Sequence, residues 1–550
     1  MKKNLTVWNL FSVVILAAFA LFIMYPIFLI LYRSVIHGDT GALTLQNFAH
    51  FFAKKFYWGT MVNSLKVTVV STILSAALGL PLAYLMRSVK IKGSSFLNIL
   101  IVISYLSPPF IGAYAWIQML GRQGVITQFL NDTFGLHYGG VYGFVGIVLV
   151  FTLQSFPLVY IYVSGALKNL DNSLNEAAES LGCSRMGRIW KIIVPLVMPT
   201  LLASSMLVFM RVFADFGTPM LIGEGYKTLP VLIYNQFMGE VSGDDGFAAA
   251  ICCIVIGLTI VMFFVQRFLA GRNTYAMTAL KPMAAESLSG LRNILAHLAV
   301  YMVVGLAILP QFVVVYTSFL ATNGGQVFTG GFALQSYDAT LFAKDNDVIW
   351  HTYFLGLCAI AAVLVLGVLI AYLSVRKRNT LNSILDVITM FPFIIPGSVL
   401  GIAFVFAFNK SPIILTGTAL IMIISFAVRR MPYTVRSSTA ILGNISPSIE
   451  EAAISLGASD MTTFRKITVP MMMPGVLSGA IMSWVTIISE LSSSIILYTN
   501  STQTLTVSIY TEVIRGNYGN ASAYATILTV TSILSLLLFY KVTGRRDVSV

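Results

Sequence analysis

The sequence predicts an all-α polytopic membrane protein, with 12 transmembrane helices arranged as two parallel six-helix halves related by a pseudo-two-fold axis along the membrane normal. Three observations predict it. The 550-residue chain is 57% hydrophobic and only 10% charged, which suits bilayer spans better than water-soluble domains. Its apolar residues gather into twelve segments, each near the roughly 20 residues that a helix needs to cross a hydrocarbon core of about 30 Å. Finally, one polar interruption occurs twice. N-E-A-A-E-S-L-G-C-S-R-M-G-R-I-W-K-I-I-V-P-L-V-M-P runs from Asn175 to Pro199, and E-E-A-A-I-S-L-G-A-S-D-M-T-T-F-R-K-I-T-V-P-M-M-M-P runs from Glu450 to Pro474.

Spans are expected over residues 10–32, 62–86, 96–120, 141–164, 197–217 and 247–267, then over 294–318, 351–374, 385–408, 413–434, 472–495 and 521–541. The first is too long for the apolar core of a signal peptide, so it is read as a retained helix. Internal prolines (Pro108, Pro109, Pro392) mark the spans most exposed to a break. With the N-terminus inside, the segments on that side collect 24 Lys and Arg against eight outside, with Lys66 and Arg211 within spans. That bias places both termini and both polar interruptions in the cytoplasm.

Glu176 and Glu451, Gly182 and Gly457, Pro195 and Pro470, and Pro199 and Pro474 are all 275 residues apart. The chain is therefore an internal repeat, with halves expected at 1–280 (core about 60–267) and 281–550 (core about 350–542). Six spans per half is an even number, so both halves enter the membrane the same way. The segment from Ala270 to Leu291 reads as the link between them.

Each interruption reads as a bent helix pair on the cytoplasmic face. Asp171, or Ser446 followed by Pro447, starts a helix of about 11 residues, about 16 Å long and too short to span. Leu174, Ala177, Ala178 and Leu181 form a narrow apolar stripe, matched by Ile449, Ala452, Ala453 and Leu456. Gly182 and Gly457 fall where a left-handed turn ends the helix, and Ser184 and Ser459 cap the next one.

The pattern E-A-A-x3-G-x9-I-x-V-P, in Glu176 to Pro195 and in Glu451 to Pro470, resembles the EAA loop of ABC importer permeases of the type I class. The resemblance implies a coupling helix that enters a cleft of a separate ATPase. Glu176, Ala177, Ala178 and Gly182 would form one coupling site, and Glu451, Ala452, Ala453 and Gly457 the other. It also implies an ATPase dimer carrying ATP and Mg, and an extracytoplasmic substrate-binding protein met by loops such as His37 to Thr60 and Gly217 to Gly246. No G-x-x-x-x-G-K-[ST] phosphate loop occurs in the sequence, so this chain is expected to be neither an ATPase nor a catalyst. Val194 and Val469 replace the family's usual leucine before the proline. Fusion of both halves, with D-F-G-T-P in one and E-L-S-S-S in the other, is similar to ferric-ion importers, while thiamine and 2-aminoethylphosphonate importers share much of the look. A secondary transporter of twelve spans would want a G-x-x-x-D-R-x-G-R loop after the second span. R-S-V-K-I-K-G, from Arg87 to Gly93, is not one.

Ionisable residues inside spans are costly and default to functional candidates. Asp215 and Glu490 are again 275 apart, about 24 Å along their helices from Pro199 and Pro474. They read as acids flanking the outer mouth of a pathway or gate. The competing reading pairs Asp215 with Arg211 one turn below, which leaves Glu490, with Thr486 below it, the less explained acid.

Other residues exclude rival chemistries. The net charge of +13 is dispersed over loops, with no basic stripe for nucleic acid. Cys183, Cys252, Cys253 and Cys358 have no CxxC spacing and read as packing residues. Met471 to Met473 point to different sides of a helix, and His37, His50, His137, His297 and His351 have no paired spacing. No metal site is expected.

Overall fold

A computed structural model describes residues 7–36, 41–135, 139–239, 245–271, 285–325, 327–342 and 347–543. Most of the link between the halves, residues 272–284, and the loop histidines His37 and His137 lie outside them. The first half runs α1 (Val7–Ser34), α2 (Gln46–Ala53), α3 (Lys55–Ser88), α4 (Ser94–Leu106), α5 (Pro109–Leu120), α6 (Val125–Phe134), α7 (Gly143–Lys168), α8 (Ser173–Ser180), α9 (Arg185–Phe213), α10 (Gly217–Ile222), α11 (Leu229–Met238) and α12 (Asp245–Gly271). The second runs α13 (Gly290–Ser318), a hairpin β1–β2 (Leu320–Asn323, Val327–Phe332), α14 (Gln335–Leu341), α15 (Val348–Arg376), α16 (Thr380–Ile394) and α17 (Gly397–Phe408). It continues with a two-residue hairpin β3–β4 (Asn409–Lys410, Ile413–Ile414), then α18 (Ala419–Asn444), α19 (Ser448–Ser455), α20 (Asp460–Ile488), α21 (Ser494–Leu497), α22 (Leu505–Arg515) and α23 (Tyr518–Thr543). The order of helices repeats, with β3–β4 standing where α6 stands in the first half.

Among the described residues, nine helices are long and apolar enough to span a membrane, or up to eleven if each bent pair counts as one span. Three expected spans need correction. The segments 96–120 and 385–408 are each broken, α4 from α5 by a bend of 100° and α16 from α17 by 110°. Pro108 and Pro396 sit at the breaks, where a missing N–H and a pyrrolidine ring end a helix. The segment 413–434 is displaced: the helix is α18, and it is less apolar than the nine because Arg436 is added to the pair in its middle, Arg429 and Arg430. Those two arginines therefore leave the cytoplasmic tally and join Lys66 and Arg211 inside helices. The expectation of helix alone also missed the two small hairpins.

Within each half the long helices pack alike, α3 on α7 with α9 across both, and α15 on α18 with α20 across both. The first helix of each half crosses over. α1 packs on α12 of its own half and on α17 of the other, while α13 packs on α23 and on α4 and α5. Trp8 of α1 stacks with Tyr372 and Phe464 of the second half at ring-centroid distances of 4.7 and 5.3 Å. Reciprocally, the Tyr301 hydroxyl of α13 donates to the Lys92 carbonyl at 3.0 Å, and the Lys92 N–H donates to His297 Nε2 at 3.2 Å. Farther along, Tyr114 of α5 donates to the Tyr518 carbonyl at 2.6 Å, and Thr317 of α13 meets Ser522 of α23 at 3.0 Å. The bonds from Lys92 to α13 and from Tyr114 to the Tyr518 carbonyl join the two halves.

Cys252 is fully buried in the core and all four cysteines are free. Met472 is buried while Met471 and Met473 are exposed, as expected for three successive positions around one helix.

Candidate coupling loops and a charged seam

The two polar interruptions fold identically. α8 and α19 are eight residues each, shorter than the eleven expected, because both ends are fixed by the local sequence. At the start, the Ser173 N–H donates to Asp171 Oδ1 at 2.9 Å and the Ser448 N–H to Ser446 Oγ at 3.4 Å. At the end, Gly182 (φ +79°) and Gly457 (φ +92°) take the left-handed conformation. The Gly182 and Cys183 N–H groups bond the carbonyls of Glu179 and Ala178, and those of Gly457 and Ala458 bond Ile454 and Ala453. This is the two-bond stop that glycine makes without a Cβ penalty. Ser184 Oγ then accepts from the Gly187 N–H at 3.2 Å, and Ser459 Oγ from the Thr462 N–H at 3.3 Å, so the second helix is capped as the sequence predicts. A π turn follows in each, at Ile189–Ile193 and Phe464–Thr468. Pro195 and Pro470 cannot bond back to Lys191 and Lys466, and the widened turn accommodates them.

Of the expected coupling residues, Glu176, Ala177, Glu451 and Ala452 are exposed, and Ala178 and Ala453 turn inward. Leu181 and Leu456, the last apolar positions of the stripe, are 88% and 90% exposed. Two leucines are thus bared at equivalent places of the two loops.

The loops differ in their anchorage. Glu450 accepts from Arg376 Nε at 2.9 Å, and Arg376 Nη2 donates to the Ile445 carbonyl at 2.6 Å, with both side chains largely buried. Aligning Ala83-Tyr84-Leu85 with Ala371-Tyr372-Leu373 puts Ser88 in the place of Arg376, and the 275-residue offset puts Asn175 in the place of Glu450. Ser88 Oγ and Asn175 Oδ1 are buried without a partner. Arg376→Gln is therefore expected to cost about 3 kcal/mol by stranding Glu450, whereas Asn175→Ala should be close to neutral. Thermal unfolding of the purified variants checks the contrast.

The two intramembrane acids come together at the seam. α9 ends at Phe213 and α20 at Ile488, and each acid lies in the break that follows. Asp215 Oδ1 accepts from the Thr218 N–H at 2.9 Å, and Glu490 Oε1 from the Ser493 N–H at 3.2 Å, so each carboxylate holds the turn into the next short helix. Gly217 of one break lies so close to Leu491 of the other that an added Cβ would come within 3.0 Å of its side chain.

The partners of the acids differ from expectation. Arg211 turns to the Tyr105 ring, with its guanidinium carbon 4.7 Å from the centroid. Glu490, 3% exposed, is the strongly paired acid. Arg429 Nη1 donates to its Oε1 and Arg430 Nη2 to its Oε2. Gly397 makes room for this arrangement, since a Cβ there would overlap Arg429 and Ser492. Sequence reasoning missed these arginines by counting them with the cytoplasmic charges, although both fall within the expected span 413–434. The available signal was A-V-R-R-M-P in the middle of an apolar run, aligned through Pro157 and Pro432 with Leu153-Gln154-Ser155 of the first half. Gln154 there donates to the Pro109 carbonyl at 3.1 Å and carries no charge.

Residues 75–275 and again residues 363–546 match the family model described as the binding-protein-dependent transport system inner membrane component. The chain belongs to this family. The permease is 30% identical over 546 residues to a ferric transport system permease protein of Actinobacillus pleuropneumoniae, covering 97% of this chain and 78% of that protein. It is also 30% identical to a putative ferric transport system permease protein of Haemophilus influenzae, covering 90% of this chain and 78% of that one. A molybdenum transport system permease protein of Escherichia coli K12 is 28% identical over 218 residues, 39% of this chain but 93% of its own length. One half of the permease thus corresponds to a whole relative, and the double match shows two family domains fused in one chain.

Proposed function

We propose that the permease is the complete membrane component of an ATP-driven importer of ferric iron, with two parallel six-span halves, both termini in the cytoplasm, and a path along the seam. The recurrence of one helix order around the seam supports the two-half reading. Bent pairs α4–α5 and α16–α17, together with α18, supply the spans beyond the nine straight ones. α8 and α19 dock on an ATPase dimer that carries ATP and Mg, and an extracytoplasmic binding protein delivers the cargo. Two relatives that match along 90% or more of the chain are ferric permeases by name, which favours iron over thiamine or 2-aminoethylphosphonate. Asp215, Glu490 and Arg211 serve as gate residues where the halves meet.

The observation that carries the coupling role is the pair of exposed leucines on two identically terminated helices. Burying a leucine contributes about 1.5–3 kcal/mol, so Leu181→Glu with Leu456→Glu is expected to weaken ATPase association at least ~100-fold. Co-purification of the ATPase with the double variant at wild-type yield would contradict the docking role.

A further inference from the structure

The acids of the seam are outnumbered. Arg211, Arg429 and Arg430 bring three positive charges to the place where Asp215 and Glu490 bring two negative ones. Both oxygens of Glu490 are engaged by guanidinium groups. Arg430 Nε is buried without a hydrogen-bond partner, and each guanidinium has five N–H donors in a planar fork that fits carboxylate or phosphate oxygens. Tyr433 of α18 lies within electrostatic reach of Arg429 and Arg430, and Tyr105 of α4 within reach of Arg211, Arg430 and Tyr433. These side chains come from both halves, and those of Arg429 and Arg430 keep 11% and 18% of their surface exposed.

Such a girdle is poorly suited to a bare trivalent cation. A hard cation asks for several anionic oxygens, and among the described residues no cluster of three His, Cys, Asp or Glu side chains stands ready to hold a metal. Repulsion grows with the product of charges, so a trivalent ion feels a surplus guanidinium three times as strongly as a monovalent one does. An anion, or a metal whose ligands are anionic, meets unspent donors instead.

We propose that the seam passes its cargo only as a species presenting anionic oxygens, so that ferric iron crosses ligated by an anion and not as the bare ion. This rests on the reading of the chain as a permease with a path along the seam.

The test uses proteoliposomes holding the permease with its ATPase, supplied with iron-loaded binding protein. One set receives 55Fe with 33P-phosphate as the ligating anion, and a parallel set 55Fe with 14C-citrate. One anion label is expected to accumulate with 55Fe in a constant ratio. Arg211→Gln should slow 55Fe entry at least fivefold, and Arg211→Lys should keep more than half of it. Iron entering at full rate with neither anion label, or undiminished by Arg211→Gln, would overturn the proposal. If no ATP-driven 55Fe entry occurs, the iron reading fails, and the anion requirement is read from 33P-labelled 2-aminoethylphosphonate in the same vesicles. Uptake slowed by Arg211→Gln then supports it, and uptake that is absent or insensitive overturns it.

Discussion

Replacing Gly182 and Gly457 together with valine is expected to abolish ATP-driven uptake while the helices of the permease remain folded. Both glycines have positive φ, where an L-residue costs about 1–2 kcal/mol and a β-branched one is strongly disfavoured. Nothing lies within 4 Å of a Cβ added at either position. The substitution therefore causes no clash, and its whole effect falls on the turn. Relaxing to negative φ would break the paired bonds from residues 182 and 183 to the end of α8, and from 457 and 458 to the end of α19, swinging each helix away from its partner. Asparagine tolerates the left-handed region, so Gly182→Asn with Gly457→Asn should retain a large part of the uptake. Equal loss in the valine and asparagine variants would show that backbone conformation is not what matters there.

Glu490→Gln is expected to lower the stability of the permease by about 3–5 kcal/mol, since removing one member of a buried ion cluster leaves the others uncompensated. Arg429 and Arg430 would face each other across a neutral amide. Asp215→Asn should cost less than about 1 kcal/mol, because an amide oxygen still accepts from the Thr218 N–H. Combining Arg429→Gln and Arg430→Gln with Glu490→Gln should recover part of the loss, as the neutral set strands no charge. Thermal unfolding read with a thiol-reactive dye suits the comparison, since Cys252 becomes reactive only when the core opens. A neutral Glu490→Gln would mean that the carboxylate is not the partner of the two arginines.

Much of the machine can be read in the sequence where the physics is local. Capping by Ser184 and Ser459, the glycine stops and the 275-residue offset involve neighbours in the chain, and the structure reproduces them residue for residue. What depends on distant contacts was less legible. The break before α5 falls at Pro108, one of the prolines singled out, while that before α17 falls at Pro396 and not at Pro392, which lies within α16; two apolar stretches separated by a few residues look like one span by length. The crossing of α1 and α13 leaves no local mark, because Trp8 meets Tyr372 and Phe464 only after the halves assemble. The Glu490 cluster was misread for a similar reason. A carboxylate reveals its partners only when α18 is packed against the break after α20, and the charge tally had assigned the arginines of that span to the cytoplasm.

The difference between the halves follows from the same comparison. Where the second half has charged pairs, Arg376 with Glu450 and the two arginines with Glu490, the first has the uncharged Ser88, Asn175 and Gln154 at the aligned positions. Equivalent backbones therefore carry unequal electrostatics at these positions.

On the proposed reading, ATP hydrolysis on a partner drives ferric iron through this chain by way of its two bent helices. Uptake of 55Fe into proteoliposomes containing the permease and its ATPase, with iron-loaded binding protein outside, tests it most directly. The prediction is accumulation that requires ATP at the ATPase and disappears in the Gly182→Val, Gly457→Val variant. Accumulation driven by an ion gradient in vesicles without the ATPase would contradict it.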